Sequence, residues 1–269
     1  MITIDEQETE VLRNSLRDTL PEVLCSAYVF PSVGSTMEVS KNLLESEADH
    51  LGEVLIVIAR EQTHGRGRQQ REWVTTEGSL ALTVALPTEL GPERFSGFSL
   101  VVGCSVLSSL RKRADSFQLK WPNDILDQRG EKVGGILIEF VRLHGANFVL
   151  IGIGLNLAHA PEHIEGAAGL RSGESPLEVA PRLLASLYRD FQLFREFGFG
   201  HFRSQWVSRA AFLGERVKVS LSEKREEIGV FEGVDPSGAL VVSNHSGTFT
   251  YHSVEQLRLL VASPTTKSL

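Results

Sequence analysis

Apolar residues recur near the start of the chain at Val11, Leu12, Leu16, Leu20 and Leu24, a helical spacing that predicts one amphipathic helix over residues 5–24. The period then changes. "AYVFPSVGST" (27–36) reads as a short strand running into a helix at "STMEVSKNLLES", and Ser35 with Glu38 three places on fits a capping box. "EVLIVIAR" (53–60) and "SLALTVAL" (79–86) are apolar runs that predict buried strands. Residues 92–113 predict a helix with more than one apolar face. "SFQLKW" is expected to be a strand ending at Pro122, and "VGGILIEFVRL" and "NFVLIGIGLNLA" a hairpin turning at "HGA". A second capping box, Ser175 to Glu178, opens a helical region reaching Phe197, with Pro181 as an alternative start. From Gly214 the texture shifts to five short strands separated by Gly, Asp-Pro and Asn signals: "ERVKVSL", "EIGVFEGVD", "ALVVSN", "GTFTYHS" and "QLRLLVA". The pattern predicts an α+β domain over residues 1–210 and a small all-β module, a compact barrel, over 211–269.

Composition removes several function classes. The 269 residues are 42% hydrophobic and 23% charged, with a formal net charge of −7, as in an ordinary globular chain. An acidic chain lacks the broad cationic face that nucleic-acid binding requires, so no nucleic-acid partner is expected. The two cysteines, Cys25 and Cys104, lie far apart and suggest neither a metal site nor a disulfide framework. The start "MITIDEQETE" is acidic, unlike a signal or transit peptide, and no apolar run approaches the roughly 20 residues a membrane helix needs. A cytoplasmic protein without a membrane partner is the expectation.

Three segments carry chemical interest. "EQTHGRGRQQREW" gathers three arginines, two glycines and a tryptophan in an otherwise acidic chain. Gly65 and Gly67 permit a tight turn that presents N–H groups, Arg66, Arg68 and Arg71 add charge-assisted donors, and Trp73 offers a flat face. A flexible surface loop with solvated arginines is the alternative. "KWPNDILDQRGEKVGGILIE" (120–139) is more specific: Trp-Pro ends a strand, Asn123 and Asp124 project polar groups from its tip, and Lys132 precedes two glycines that let a ligand approach the backbone. A polar turn explains "DQRGE" but not that tip. In "GIGLNLA" (152–158) no third glycine or helix follows, which argues against a dinucleotide loop. Asn156 there either bonds a nucleotide or caps the strand end.

Taken in order, Gly-Arg-Gly-Arg-x-x-Arg-x-Trp, Lys-Trp-Pro-Asn-Asp, Lys-Val-Gly-Gly-Ile-Leu-Ile-Glu and Gly-Ile-Gly-x-Asn resemble the biotin protein ligases, over roughly residues 28–158. The resemblance implies a mixed-sheet catalytic domain of the biotin/lipoyl ligase type followed by an SH3-like β-barrel. It implies a two-step reaction. Biotin's carboxylate attacks the α-phosphate of ATP to give biotinyl-5′-AMP and pyrophosphate, and a lysine of a biotin carboxyl carrier protein domain then takes the biotin. ATP is expected with Mg²⁺ on the nucleotide, there being no dedicated metal cluster, and the oligomer is expected to be a monomer or homodimer.

By the same resemblance, Ser35, Thr36 and Gln62 bond the ureido head of biotin. Gly65 and Gly135 contact biotin, and Arg66 and Arg68 line its carboxylate and the phosphate. Arg71 reaches the phosphates, Trp73 and Asn156 lie at the adenine end, and Asn123 organises the phosphates. Lys132 bridges carboxylate and α-phosphate, and Asp124 is placed to accept the proton of the incoming lysine; with Arg68 they form the expected catalytic group. Bringing two anions into line asks mainly for cations and N–H donors. Two departures stand out: Met37 follows Ser35-Thr36 where the family carries Asn, with Gly34 before them where an acidic residue is common, and His64 replaces a small residue before Gly65. Lipoate ligases and acyltransferases of the same fold are the alternative enzyme class, although their arginine-glycine signature is missing. A biotin-sensing repressor would add a helix-turn-helix, whereas the residues before Ala27 predict one helix.

Overall fold

The computed structural model describes residues 3–46, 52–110, 116–222 and 225–260. In chain order the first domain contains α1 (Glu6–Thr19), β1 (Cys25–Val33), α2 (Thr36–Ser46), β2 (Val54–Gln62), β3 (Leu80–Thr88), α3 (Phe98–Ser109), β4 (Phe117–Lys120), β5 (Asp124–Asp127), β6 (Lys132–Leu143), β7 (Ala146–Leu155), α4 (Pro176–Phe197) and the short α5 (Arg203–Val207). Its seven strands form one mixed sheet in the order β1-β2-β3-β7-β6-β5-β4, in which β1 and β2 are parallel and the other neighbours antiparallel. The second module is a five-stranded antiparallel sheet of β8 (Arg216–Ser222), β9 (Arg225–Val234), β10 (Leu240–Asn244), β11 (Gly247–Tyr251) and β12 (Gln256–Leu259), ordered β11-β10-β9-β8-β12. All five strands expected after Gly214 are present.

Alternation along β2 explains why the large sheet carries helices on both faces. Ile56 and Ile58 join the cluster with Leu12 and Leu16 of α1 and the apolar faces of α3 and α4, whereas Leu55, Val57 and Ala59 face Val39 and Leu44 of α2. A strand buried on both sides reads as an unbroken apolar run. β1 is an edge strand, which accommodates Pro31. Its outer side is covered by α1: Asp5 N–H donates to Val29 O at 2.8 Å, and Val29 N–H donates to Thr9 Oγ1 at 2.9 Å.

Several expected elements are adjusted. α1 stops at Thr19, not 24, because Pro21 disfavours helical geometry at Leu20. The helix expected over 92–113 becomes a 3₁₀ turn, Pro92–Phe95, and α3, separated at Gly97, whose φ of +75° is left-handed; the part at 111–113 lies outside the described residues. α4 begins at Pro176 with Pro181 inside it, anchored by Glu178, whose carboxylate accepts the Ser175 N–H at 2.7 Å. The hairpin forms as expected, with His144 and Gly145 both at positive φ between β6 and β7.

The β module is not a loose appendage. Phe199, Phe202 and Trp206 share one buried cluster with Val217, Val219 and Phe231. Trp121 Nε1 donates to Gly238 O at 2.9 Å, Ser96 Oγ donates to Ser237 O at 2.8 Å, and β4 bonds Arg209 and Ala211 through Leu119. These ties fix the corner after β4 against the second sheet.

Candidate active site

A cleft of about 360 Å³ opens where the start of α2, the arginine loop, the β4–β5 corner and β12 converge on the ends of β6 and β7. It has two unlike ends.

One end is neutral and internally bonded. Thr83 Oγ1 donates to Thr36 Oγ1 at 2.8 Å, which in turn donates to Gln62 Oε1 at 3.0 Å, and the Thr36 N–H reaches the same oxygen at 2.8 Å. The Gln62 amide nitrogen lies beside Gly65, 2.9 Å from where a Cβ on that glycine would sit. Ser35 is 3% exposed and its Oγ has no partner. The capping box expected between Ser35 and Glu38 does not form: the Ser35 hydroxyl stays free, and Glu38 is drawn outward to Arg66 at 2.7 Å. A buried free hydroxyl beside a satisfied network is an unfilled hydrogen-bonding position. Met37 turns into the apolar cluster beneath α2, so at this departure position it packs and does not add a polar contact.

The other end is cationic. Lys132 Nζ lies 2.6 Å from Asp124 Oδ1, and Lys120 Nζ lies 4.0 Å from Asp124 Oδ2. Arg68 Nη1 donates to Asn123 Oδ1 at 3.4 Å, while Asn123 Nδ2 is fixed by Ile136 O at 2.7 Å. Burial holds the Arg68 guanidinium below its ordinary value, opposed by Asp124 and reinforced by Arg71. Burial likewise lowers the Lys120 ammonium, with Asp124 opposing and Lys132, Arg258 and Arg71 reinforcing. Arg68, Arg71, Lys120, Lys132 and Arg258 line the cleft with the carboxylates of Asp124, Glu72 and Glu255, a cationic excess suited to a polyanion.

The arginine loop is a narrow hairpin strap. Trp73 N–H donates to Gly65 O at 2.8 Å, Gly67 N–H donates to Arg71 O at 2.7 Å, and Arg66 pairs with Glu72 as an isolated antiparallel bridge. A Cβ at Gly65 would sit 2.3 Å from Trp73 O, so only glycine fits. Trp73 crosses the strands beneath it, and a Cβ at Gly154 would meet its ring at 2.3 Å. Lys132 Nζ rests 5.7 Å from the centre of that ring. Arg66 departs from its neighbours: it pairs with Glu38 at 2.7 Å and Glu139 at 3.3 Å, beside a Lys41–Glu139 pair of 2.8 Å.

Of the residues anticipated from the sequence, Gly65 and Asn156 do not line the cleft; the others do. Gly65 is the buried root of the strap. Asn156, 3% exposed, sits behind the wall with its Nδ2 bonded to Ala168 O at 3.1 Å and its Oδ1 without a partner. Sequence reasoning passed over Thr83, Lys120 and Arg258. Lys120 stands in the quoted Lys-Trp-Pro-Asn-Asp run and faces Asp124 across the β4–β5 pair, a signal available to it. Thr83 and Arg258 enter only through strand register and the docking of the second sheet. Among the described residues no group of three or more His, Cys, Asp or Glu is placed to hold a metal.

A neutral polar pocket joined to a polycationic one suits an enzyme that activates a carboxylate with a nucleotide. The model of the biotin/lipoate A/B protein ligase family matches residues 29–156. The biotin--[acetyl-CoA-carboxylase] ligase of Paracoccus denitrificans is 37% identical over 205 residues, covering 71% of this chain and 85% of that protein. The bifunctional ligase/repressor BirA of Escherichia coli K12 is 32% identical over 230 residues, covering 81% and 69%. Among solved structures, the biotin protein ligase from Aquifex aeolicus in complex with biotin and ATP superposes with a TM-score of 0.71 at 28% identity, covering 87% of this chain and 99% of that one. The chain belongs to the biotin protein ligases.

Proposed function

We infer that this protein is an ATP-dependent biotin protein ligase, EC 6.3.4.15, which makes biotinyl-5′-AMP and passes biotin to a lysine of a biotin carboxyl carrier domain. The observation that carries the reading is the joining of the two ends: Lys132 stands at the boundary, where a carboxylate in the neutral-headed pocket would meet the α-phosphate of a nucleotide in the cationic one.

The roles follow from that placement. The free Ser35 hydroxyl and the Thr36–Gln62 network take the ureido head of biotin, whose apolar body lies along Gly135 and Trp73. Lys132 and Arg68 draw the carboxylate and α-phosphate together and stabilise the charge that gathers as the carboxylate oxygen attacks phosphorus and pyrophosphate leaves. Arg71 and Asn123 hold phosphate oxygens, Trp73 serves the adenine end with Asn156 behind the wall, and Arg66 steadies the strap. Asp124, released from Lys132 as the anions arrive, is placed to receive the proton of the carrier lysine. The strap excludes water that would hydrolyse the anhydride. Mg²⁺ fits as a passenger on the triphosphate, because Asp124 is already paired with Lys132 and the surrounding donor set is cationic.

A catalytic domain over residues 1–210 with a β module over 211–269, a cytoplasmic location, and a monomer or homodimer complete the reading. No described helix is long and apolar enough to cross a membrane. Incubating the protein with biotin, MgATP and a carrier domain, scored by avidin blot, tests it. Labelling with lipoate in place of biotin would overturn it.

A further inference from the structure

The long irregular segment after β7 holds the backbone of Lys132 on both sides. The Lys132 N–H donates to Gly166 O at 2.7 Å, and the Ala168 N–H donates to Lys132 O at 2.9 Å, so residues 166–168 run alongside Lys132 as a one-residue parallel bridge to Ala167. Lys132 needs such support. It is the first residue of β6, and the pairing of β5 with β6 shifts register there: Ile125 faces Gly134, but Leu126 faces Lys132. A bulge leaves Val133 unpaired with β5 and re-aims the strand start.

Asn156 closes this arrangement from behind. Its N–H donates to the carbonyl of the bulged Val133 at 2.9 Å, its Nδ2 donates to Ala168 O at 3.1 Å, and its own carbonyl accepts the Leu170 N–H at 2.7 Å. One buried residue thus ties the bulge beside Lys132, through its backbone N–H, to the segment that brackets Lys132, through its side chain. Its Nδ2 lies on the backbone side of the wall, and its other amide atom, Oδ1, is left unbonded. The two halves of the amide are therefore separable.

We propose that Asn156 is a positioning residue for adenylation, which through Ala168 and Val133 fixes the backbone of Lys132 and hence the reach of its ammonium. The inference rests on the reading of Lys132 as the group that joins the two anions. An ammonium on a four-carbon stem reaches a fixed point only if its Cα is fixed, and a displacement of about 1 Å costs up to about a hundredfold in rate.

Asn156→Asp tests it, since the carboxylate keeps an acceptor where Oδ1 stood and loses the donor to Ala168 O. The expected result, from pyrophosphate release at saturating biotin and ATP, is a fall in kcat of at least about tenfold with both KM values within about threefold of wild type. Ala168→Pro, which deletes the N–H that bonds Lys132 O, is expected to give the same kcat-selective loss, and the double variant to be no worse than the more damaged single one. A raised KM for ATP with kcat unchanged in Asn156→Asp would overturn the proposal in favour of a simple nucleotide contact, and unchanged kinetics would overturn it outright. Amide hydrogen exchange of the protein saturated with biotin and ATP supplies a readout independent of turnover. The Lys132 and Ala168 amides of Asn156→Asp should lose protection together while Ile136 and Ile153 keep theirs; unaltered protection at Lys132 would sink the idea. Lys132→Ala retaining wild-type adenylation would refute the role of Lys132 itself, and the exchange result would still report on the tie.

Discussion

The two ends of the cleft solve opposite problems. At the neutral end the two threonine hydroxyls and the Thr36 N–H are spent within the Thr83–Thr36–Gln62 chain, and one buried hydroxyl, that of Ser35, is left over. At the cationic end Arg68, Arg71, Lys120, Lys132 and Arg258 outnumber the carboxylates of Asp124, Glu72 and Glu255 that line the cleft with them. The first end is pre-arranged before a ligand arrives and reads shape and hydrogen bonding. The second is electrostatically unfinished and is stabilised by what it binds. Recognition and activation are thus kept in separate physical currencies a few residues apart, with Lys132 between them.

The largest effect is expected at that boundary. Lys132→Ala should lower biotinyl-5′-AMP formation at least about a hundredfold, the loss of one transition-state donor, as read by pyrophosphate release. Near-normal release would erase the distinction between the ends.

Next comes Thr36→Val at the neutral end. It leaves the Thr83 hydroxyl without its acceptor, at a cost of about 1–3 kcal/mol, and should raise the KM for biotin roughly tenfold and lower the melting midpoint. The ratio of variant to wild-type KM should not change with salt. By contrast, raising ionic strength from about 0.05 to 0.5 M should raise the KM for ATP several-fold, because the partly exposed cations there are screened. Equal salt sensitivity at the two ends would dissolve the comparison.

Lys120 sharpens it through stability. Burial holds the folded pKa of Lys120 below its unfolded value, so between the two the unfolded chain binds more protons and stability rises with pH. Lys120→Met should therefore raise the melting midpoint at neutral pH, by an increment that shrinks as pH rises through the folded pKa, while the KM for ATP rises. Thr36→Val and Lys120→Met would then move stability in opposite directions; a destabilised Lys120→Met would contradict this account. The smallest effect is expected from Glu38→Gln, which removes a half-exposed partner of Arg66 worth under about 1 kcal/mol, visible at most as a faster loss of bound adenylate.

Much of this was legible in the sequence, and what was not has physical causes. The strands β2, β3, β6 and β7 declare themselves because both faces of the sheet are covered, so their apolar runs are unbroken. The Lys-Trp-Pro-Asn-Asp corner and the glycines beneath Trp73 follow from local chain geometry. The end of α1 was also legible, in Pro21, although the apolar spacing through Leu24 argued for a longer helix. The failed capping box at Ser35 was not, because Arg66 comes from a distant loop to claim Glu38. Thr83 comes to back Thr36 through the register of β3, and Arg258 reaches the cleft through the seat of the second sheet; no local pattern announces either.

That seat also sets an order of assembly. The indole of Trp121 finds its acceptor, Gly238 O, 117 residues further along the chain, and β4 finds its outer neighbours at Arg209 and Ala211. During synthesis the corner bearing Asn123 and Asp124 therefore waits, with Trp121 lacking this acceptor, until β8, β9 and the turn at Gly238 have been made. The cleft wall that Arg258 completes comes later still, with β12 (Gln256–Leu259).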